Sequence, residues 1–303
     1  MNRRIDLNDI RLLMQVVEHG SYTAAARAIG VPKSTISQRI ANLEATIGTG
    51  LLRRTSRSFS LTNAGAQLLP HARAIEDVVR QVEHALVDHD GELQGTLRVS
   101  ASHAIAQFAL SPLVPQFLAE HAQVTIKVEA SNRLIDLVGE GFDMTVRGHV
   151  GPLKDSILIQ RVVARTPWTL AASPAWVAAR KLPEAPIDLP MSETLCFSNT
   201  PDAQVWLLMK GEVEQRLTIK PRLISDDMLS VRNSTIAGAG IACLPVYVFS
   251  PAFDTGELVR LLPDWSAQTS CISVLTPPKA QSSRLAATFS NFLAAHLPAI
   301  VQR

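Results

Sequence analysis

Two helical runs meeting at a Gly30–Pro32 corner, a seven-residue repeat of apolar positions between 68 and 86, and strands alternating with helices from Leu97 onward predict an α/β protein in three parts. The expected order is a winged helix-turn-helix over 1–62, a long linker and dimerisation helix over 63–91, and a two-lobed α/β domain over 92–303. Lobe I is expected at about 92–164 and 270–303, and lobe II at about 165–269.

The first element is a helix carrying Leu7, Ile10, Leu13, Met14 and Val17 at helical spacing. A second starts at Ser21, whose hydroxyl can accept from backbone N–H groups two or three residues on, and Gly30 stops it. Pro32 then opens a third helix, where its missing donor costs little. On that helix Ile36, Ile40, Leu43 and Ile47 form one apolar stripe, while Lys33, Ser34, Thr35, Ser37 and Gln38 form a polar face able to meet base edges and phosphates. An ordinary surface helix is the alternative. Leu51 to Arg54 and Phe59 to Leu61 read as two strands of a wing, on which Arg53, Arg54 and Arg57 can neutralise phosphates or enter a minor groove. Residues 1–60 hold nine Lys or Arg against four Asp or Glu, hence +5, in a chain whose total is +2. The remainder is therefore −3, and positive charge is concentrated at the proposed DNA-binding end.

Thr62 is placed to cap the linker helix. Leu68, Ile75 and Val82, with Ala72, Val79 and Leu86 four residues on, give an a/d seam that calls for a partner helix; packing on its own domain is the competing use. Pro70 predicts a kink or local irregularity. His84 and Asp88 share a face, but no further ligand converges on them, so no metal is expected.

Beyond Leu97, strands are expected at 97–101, 124–128 and 144–147, with helices near 104–120 and 132–140 between them. A second set places strands at 168–172, 195–197 and 222–224, a helix over 228–237 and a strand ending at Pro245. The chain returns near Cys271 to Leu275 and ends in a helix over 282–296. Such alternation implies a parallel, doubly wound sheet in two lobes, hinged by two crossings, with ligands at the carboxyl ends of the strands.

Composition restricts the function. The 303 residues are 47% hydrophobic and 18% charged, which is the balance of a globular chain with a sizeable core. No apolar run of about 18 residues and no signal-like N-terminus is present, so a cytoplasmic protein without membrane association is expected. Cys196, Cys243 and Cys271 match no metal spacing and read as buried apolar thiols. There is no Gly-x-Ser-x-Gly elbow, phosphate-binding glycine loop or His/Cys/Asp cluster, so neither catalysis nor a cofactor is expected.

The N-terminal motifs resemble the LysR-type transcriptional regulators. The resemblance rests on Ser-Tyr-Thr-Ala-Ala-Ala from Ser21, Ile-Ser-Gln-Arg-Ile-x-x-Leu-Glu from Ile36 to Glu44, Leu51-Leu52-x-Arg, and Leu-Thr-x-Ala-Gly from Leu61 to Gly65. In the second half Asp136 to Asp143, Val146 to Gly148, Ala237 to Pro245 and Leu261 to Trp265 are similar to the periplasmic-binding-protein-like effector domain of the same family, in the branch that includes regulators of virulence and of aromatic or dicarboxylic acid metabolism. One departure is that Lys33-Ser34 stands where the family commonly has Gln-Pro, so base preference there does not carry over. The resemblance implies a sequence-specific regulator of double-stranded DNA, working as a homodimer or tetramer, answering to a small-molecule effector and contacting RNA polymerase.

Candidate effector contacts follow from cleft position. Ser102 and His103 follow the first strand, Ser131 and Asn132 the second, and Ser198 and Asn199 a strand of the other lobe. Arg147, ending the third strand, is placed to pair with a carboxylate. For each, helix capping or a structural ion pair is the alternative. A repressor or architectural protein with a vestigial pocket and a thiol-responsive regulator are the other readings.

Overall fold

The computed structural model describes residues 5–54, 59–72, 75, 79, 92–133, 135–137, 139–153, 157–198, 204–278 and 283–302; the side chains of Arg54, Phe59 and Gln204 lie outside that description. The chain divides into two compact units: residues 1–90 with 136–141, and residues 91–135 with 142–303.

The N-terminal unit is built on three helices. In α1 (Leu7–Glu18) the core residues are Ile10, Leu13 and Val16, and Asp6 caps the helix by accepting from the Asn8 N–H. Leu7, expected on the apolar face, is instead 50% exposed, because it lies in the first turn before the buried stripe begins. Ser21 caps α2 (Tyr22–Ile29) through the Ala24 N–H at 3.1 Å, and Gly30 ends it at φ 69°, a left-handed conformation that glycine adopts without steric cost. Pro32 leads into α3 (Lys33–Ile47), whose Ile36, Ile40 and Leu43 are buried against α1 and α2. Each such side chain contributes about 1.5–3 kcal/mol by leaving water. The wing is an antiparallel pair, β1 (Leu52–Arg54) and β2 (Phe59–Leu61), with Leu52 opposite Leu61.

A fourth helix, α4, covers residues 63–72 and runs on through Pro70; residues 75 and 79 are also helical. Thr62 caps it, accepting from the Gly65 N–H at 3.1 Å and donating to the Gly50 carbonyl at 2.7 Å. Ala72 is buried in the core of this unit, and Leu68 and Ile75 pack against that core. These first seam positions are thus taken up by the chain's own domain. The later seam residues Val82 and Leu86, with His84 and Asp88, lie outside the described residues.

In the second unit, among the described residues, a nine-stranded sheet runs β10-β7-β11-β6-β13-β5-β3-β4, with β12 also on β6. Its strands are β3 (Gln94–Ala101), β4 (Gln123–Ala130), β5 (Met144–His149), β6 (Ile159–Ala172), β7 (Thr194–Phe197), β10 (Leu223–Ser225), β11 (Ile241–Pro245), β12 (Val259–Leu261) and β13 (Thr269–Thr276). Two parallel groups, β4-β3-β5 and β10-β7-β11, flank antiparallel β6 and β13. The sheet is therefore mixed, not the wholly parallel one expected. Periodicity marks a strand without stating its direction, and the two strands near the crossings run against their neighbours. Strand β6 spans both groups, pairing with β13 through Pro167 and with β11 from Trp168. At the crossing the Trp168 N–H donates to the Gln268 carbonyl at 3.0 Å and the Ala267 N–H to the Trp168 carbonyl at 3.2 Å.

The helix expected over 104–120 is broken into α5 (His103–Ile105), a π turn (Ala106–Leu110) and α6 (Val114–Glu120). Pro112 and Pro115 remove two amide donors there, and Pro115 sits in the first turn of α6, where the loss is harmless. No helix forms among the described residues of 132–140. Instead the Asp136 side chain accepts from the Gly139 N–H at 3.0 Å and its carbonyl from the Glu140 N–H at 2.9 Å, closing a single turn. The remaining helices are α7 (Pro174–Ala178), α8 (Met228–Ile236), α9 (Val246–Asp254) and α10 (Arg284–Val301), the last lying against β6 and β3. A hairpin of β8 (Gln204–Lys210) and β9 (Val213–Ile219) had no counterpart among the expected elements; it buries Trp206, Leu208, Leu217 and Ile219. No described helix is long and apolar enough to cross a membrane.

Candidate functional site

On α3 the residues Lys33, Ser34, Thr35 and Gln38 are exposed and Ser37 is half-buried, on the side opposite the buried isoleucines. No side chain caps the start of α3, so its first-turn N–H groups remain available to an anion. Gln38 donates to the Asn42 side chain at 3.2 Å, an exposed contact that can be exchanged for a base edge. Arg53 is exposed on β1; the Arg54 side chain and Arg57 lie outside the described residues. Arg39 is used internally: its guanidinium holds Asp9 at 2.5 Å and Asp6 at 2.8 Å, tying α3 to α1. Glu44 accepts from the Leu51 and Leu52 N–H groups at 2.7 and 3.1 Å, fixing where the wing leaves the helix.

In the second unit a cavity of about 450 Å³ opens at the carboxyl ends of the parallel strands. One side is formed by Ser102 after β3, Asn132 after β4, and Arg147 with His149 on β5. The other carries Phe197 at the end of β7, Asp226 after β10, and Pro245 and Tyr247 where β11 turns into α9. Trp168 and Ser270, from the crossing strands, and Gln268, just before β13, also line it.

Arg147 is the best-fixed polar group of the cavity. Its Nε donates to Thr145 Oγ1 at 3.0 Å, one Nη to Ser100 Oγ at 3.0 Å and the other to the Ser131 carbonyl. Among the described residues these oxygens are its hydrogen-bond partners, and none is a carboxylate. Burial, with the neighbouring Arg133 guanidinium adding to it, pushes the Arg147 guanidinium below its usual range. A bound anion would offset both effects. Tyr247, among the lining residues, is 5% exposed, and burial pushes its phenol up. Trp168 donates from its indole N–H to Ser270 Oγ at 3.0 Å and faces Phe197 at 6.5 Å between ring centroids. His149 faces the Gly151 carbonyl with Nδ1 at 2.7 Å and Ser273 Oγ with Nε2 at 2.9 Å.

The family LysR substrate binding domain matches residues 90–298, and the bacterial regulatory helix-turn-helix protein, lysR family, matches residues 7–66. The chain belongs to the LysR family of transcriptional regulators. Among its relatives, an uncharacterised HTH-type transcriptional regulator of Haemophilus influenzae is 30% identical over 89% of this chain and 93% of its own length. The HTH-type transcriptional activator AaeR of Escherichia coli is 31% identical over 86% and 84%. The solved structure of the Vibrio cholerae virulence activator AphB is 25% identical with a TM-score of 0.63, covering 97% of this chain and all of that one. CrgA of Neisseria meningitidis is also 25% identical, with a TM-score of 0.60 over 97% and 99%.

The LysR-type motifs acquire physical content here. Arg39 and Glu44, both within the Ile36 to Glu44 motif, are the ion-pair and wing-anchoring residues just described, and Gly65 closes the last motif because a Cβ there would lie 2.2 Å from the Leu51 carbonyl oxygen. Of the residues expected around the effector, Ser102, Asn132 and Arg147 line the cavity. Asn132 is partly committed, since its side chain accepts from the His103 N–H at 3.2 Å and donates to the Asp226 carbonyl at 2.8 Å. The His103 side chain is exposed and does not line the cavity. Ser131 contributes its carbonyl to Arg147 and its hydroxyl to the Arg133 N–H, and Ser198 continues the strand by donating its N–H to the Ser225 carbonyl at 2.9 Å; neither lines the cavity. Asn199 lies outside the described residues. The aromatic wall of Trp168, Phe197 and Tyr247 was missed, because an aromatic residue in a strand gives the same signal whether it faces a core or a cavity.

Proposed function

We propose that this LysR-type regulator binds a small carboxylate-bearing effector through Arg147 and, with residues 1–62, reads operator DNA through α3 and the wing. The observation that carries the effector reading is a half-buried guanidinium, held by three neutral oxygens, at the edge of a cavity with apolar walls. A carboxylate is an anion whose two oxygens match a guanidinium fork. Residues 63–91 link the two functions, 92–303 hold the effector with lobes at about 92–164 plus 270–303 and 165–269, and the working form is a homodimer or tetramer able to meet RNA polymerase. An effector acts only if it binds the two lobe arrangements with different affinity.

Thermal unfolding of the full chain with benzoate, succinate and acetate, and with benzamide as the uncharged control, tests the effector reading. At least one carboxylate raises the melting temperature, a hundredfold excess over its Kd being worth about 2.7 kcal/mol, while benzamide does not. In Arg147→Ala the shift disappears and operator binding persists. Equal shifts in the wild type and Arg147→Ala would remove Arg147 from the site, and no shift with any carboxylate would favour a vestigial pocket.

A further inference from the structure

Cys196 and Cys243 are buried apolar thiols, as the sequence predicts, and the sheet brings them together, a proximity the sequence does not show. Strands β7 and β11 are parallel, with Leu195 opposite Ala242, and the next residues on each are Cys196 and Cys243. Neighbouring strands run about 4.8 Å apart, within the Cα separation that lets two cysteine sulfurs be bridged. Both thiols face the same side of the sheet, in the cluster that contains Trp206 and Leu217, and both line a cavity of about 80 Å³. Trp168, Phe197 and Gln268 also line it, and these three residues line the larger cavity as well. The thiols are reduced, each 5% exposed.

We propose that Cys196 and Cys243 form a two-sulfur capture site for a soft, thiophilic centre, whose occupancy moves the wall shared with the larger cavity. The chemistry is replacement of two S–H protons by one bridging atom. A monosubstituted trivalent arsenical, R–As=O, forms two As–S bonds and loses its oxygen with both protons as water. A two-coordinate cation such as Hg(II) forms two metal–sulfur bonds and releases two protons. No electron changes hands in either step. Oxidation fits the pair less well, because burial keeps both thiols protonated and the thiolate is the species that attacks a peroxide. The small cavity beside the sulfurs gives room for the substituent of an arsenical.

The test uses the full reduced chain without oxygen. Phenylarsine oxide and, separately, Hg(II) are added at one equivalent; bound stoichiometry is read by intact mass, position by peptide mapping and response by tryptophan fluorescence. One centre per chain, mapped to Cys196 and Cys243, two of three thiols blocked and a fluorescence change are expected, with the same result in Cys271→Ser. Hg(II) is held more tightly as pH rises, because its capture releases two protons to solvent, whereas arsenical capture releases water and no net proton. Cys196→Ala and Cys243→Ala, checked for folding by their melting curves, lose at least a hundredfold in retention against competing monothiol. Mapping of the adduct to Cys271, equal retention by the single-thiol variants, or capture only after denaturation would overturn the proposal. Retention of the arsenical alone assigns the site to trivalent arsenic; retention of mercury alone assigns it to a linear cation.

Discussion

Gln38 and Arg53 offer DNA two different kinds of contact, and the difference is measurable. The Gln38 amide presents a donor and an acceptor together and matches the edge of one base, worth about 1–3 kcal/mol of discrimination. Arg53 presents charge, which every phosphate accepts. Gln38→Ala should therefore weaken operator binding about tenfold or more while leaving random DNA nearly unchanged. Arg53→Ala should weaken both and lower the slope of log K against log salt by about one unit. Titrations on operator and random duplexes at several salt concentrations check both, and equal losses on the two DNAs for Gln38→Ala would remove its reading role. At this scale the sequence was informative wherever a side chain's chemistry had one use. Arg147 could be named because a strand-end arginine has few apolar alternatives. Asn132 and Ser131 could not be ranked, because Asn and Ser cap, turn and bind with the same atoms, and only the fold shows their partners.

Between elements, the decisive contact in the N-terminal unit is the approach of α4 to the wing at Gly65. A Cβ at this position would lie 2.2 Å from the Leu51 carbonyl oxygen and 2.8 Å from the Leu61 side chain, so Gly65→Ala must push the helix off the wing. Overpacking of this kind costs about 1–3 kcal/mol, and each kcal/mol lowers the melting point of a 60–100-residue domain by about 4–8 °C. The calorimetric transition of the N-terminal unit should fall by about 5–20 °C while that of the second unit stays in place. An unchanged transition would show that the helix relaxes freely. Helices were largely legible: α1, α2, α3, α8 and α10 lie near where they were expected, four of them capped by Asp6, Ser21, Asp227 and Ser283, and α3 starting behind Pro32 without a side-chain cap. The hairpin of β8 and β9 carried the alternation Val213, Gln215, Leu217, Ile219 after a turn at Gly211, yet it lies off the main sheet, where the expected alternation of strand and helix gives it no place. The linker seam was ambiguous for a different reason. Leu68, Ala72 and Ile75 would suit a partner helix equally well, and which surface reaches them first is a tertiary fact.

For the whole molecule, stability should decline on the alkaline side for a nameable reason. Burial pushes the Cys196 thiol up to about 11, raises Cys243 with Cys196 adding to it, and raises the Tyr247 phenol. An unfolded thiol loses its proton near about pH 8.5 and an unfolded phenol near about pH 10. The folded chain thus holds protons that the unfolded chain has released. Stability is fully present below those unfolded values and is lost as pH rises toward the folded ones. Cys196 alone accounts for a loss on the order of 2 kcal/mol by about pH 10.5. Melting curves from about pH 8 to 10.5 should fall more gently in Cys196→Ala,Cys243→Ala than in the wild type, whatever the starting stability of the variant; parallel slopes would refute the assignment. Trp168 and Ser270 belong to the crossing strands, Gln268 lies just before β13, and all three line the cavity proposed for the effector. If the proposed lobes move about these strands, a molecule lodged there presses on the pivot rather than on a distant lever. Detection and motion then share one set of atoms, so the tightness of binding and the angle of opening cannot be adjusted independently by mutating this wall.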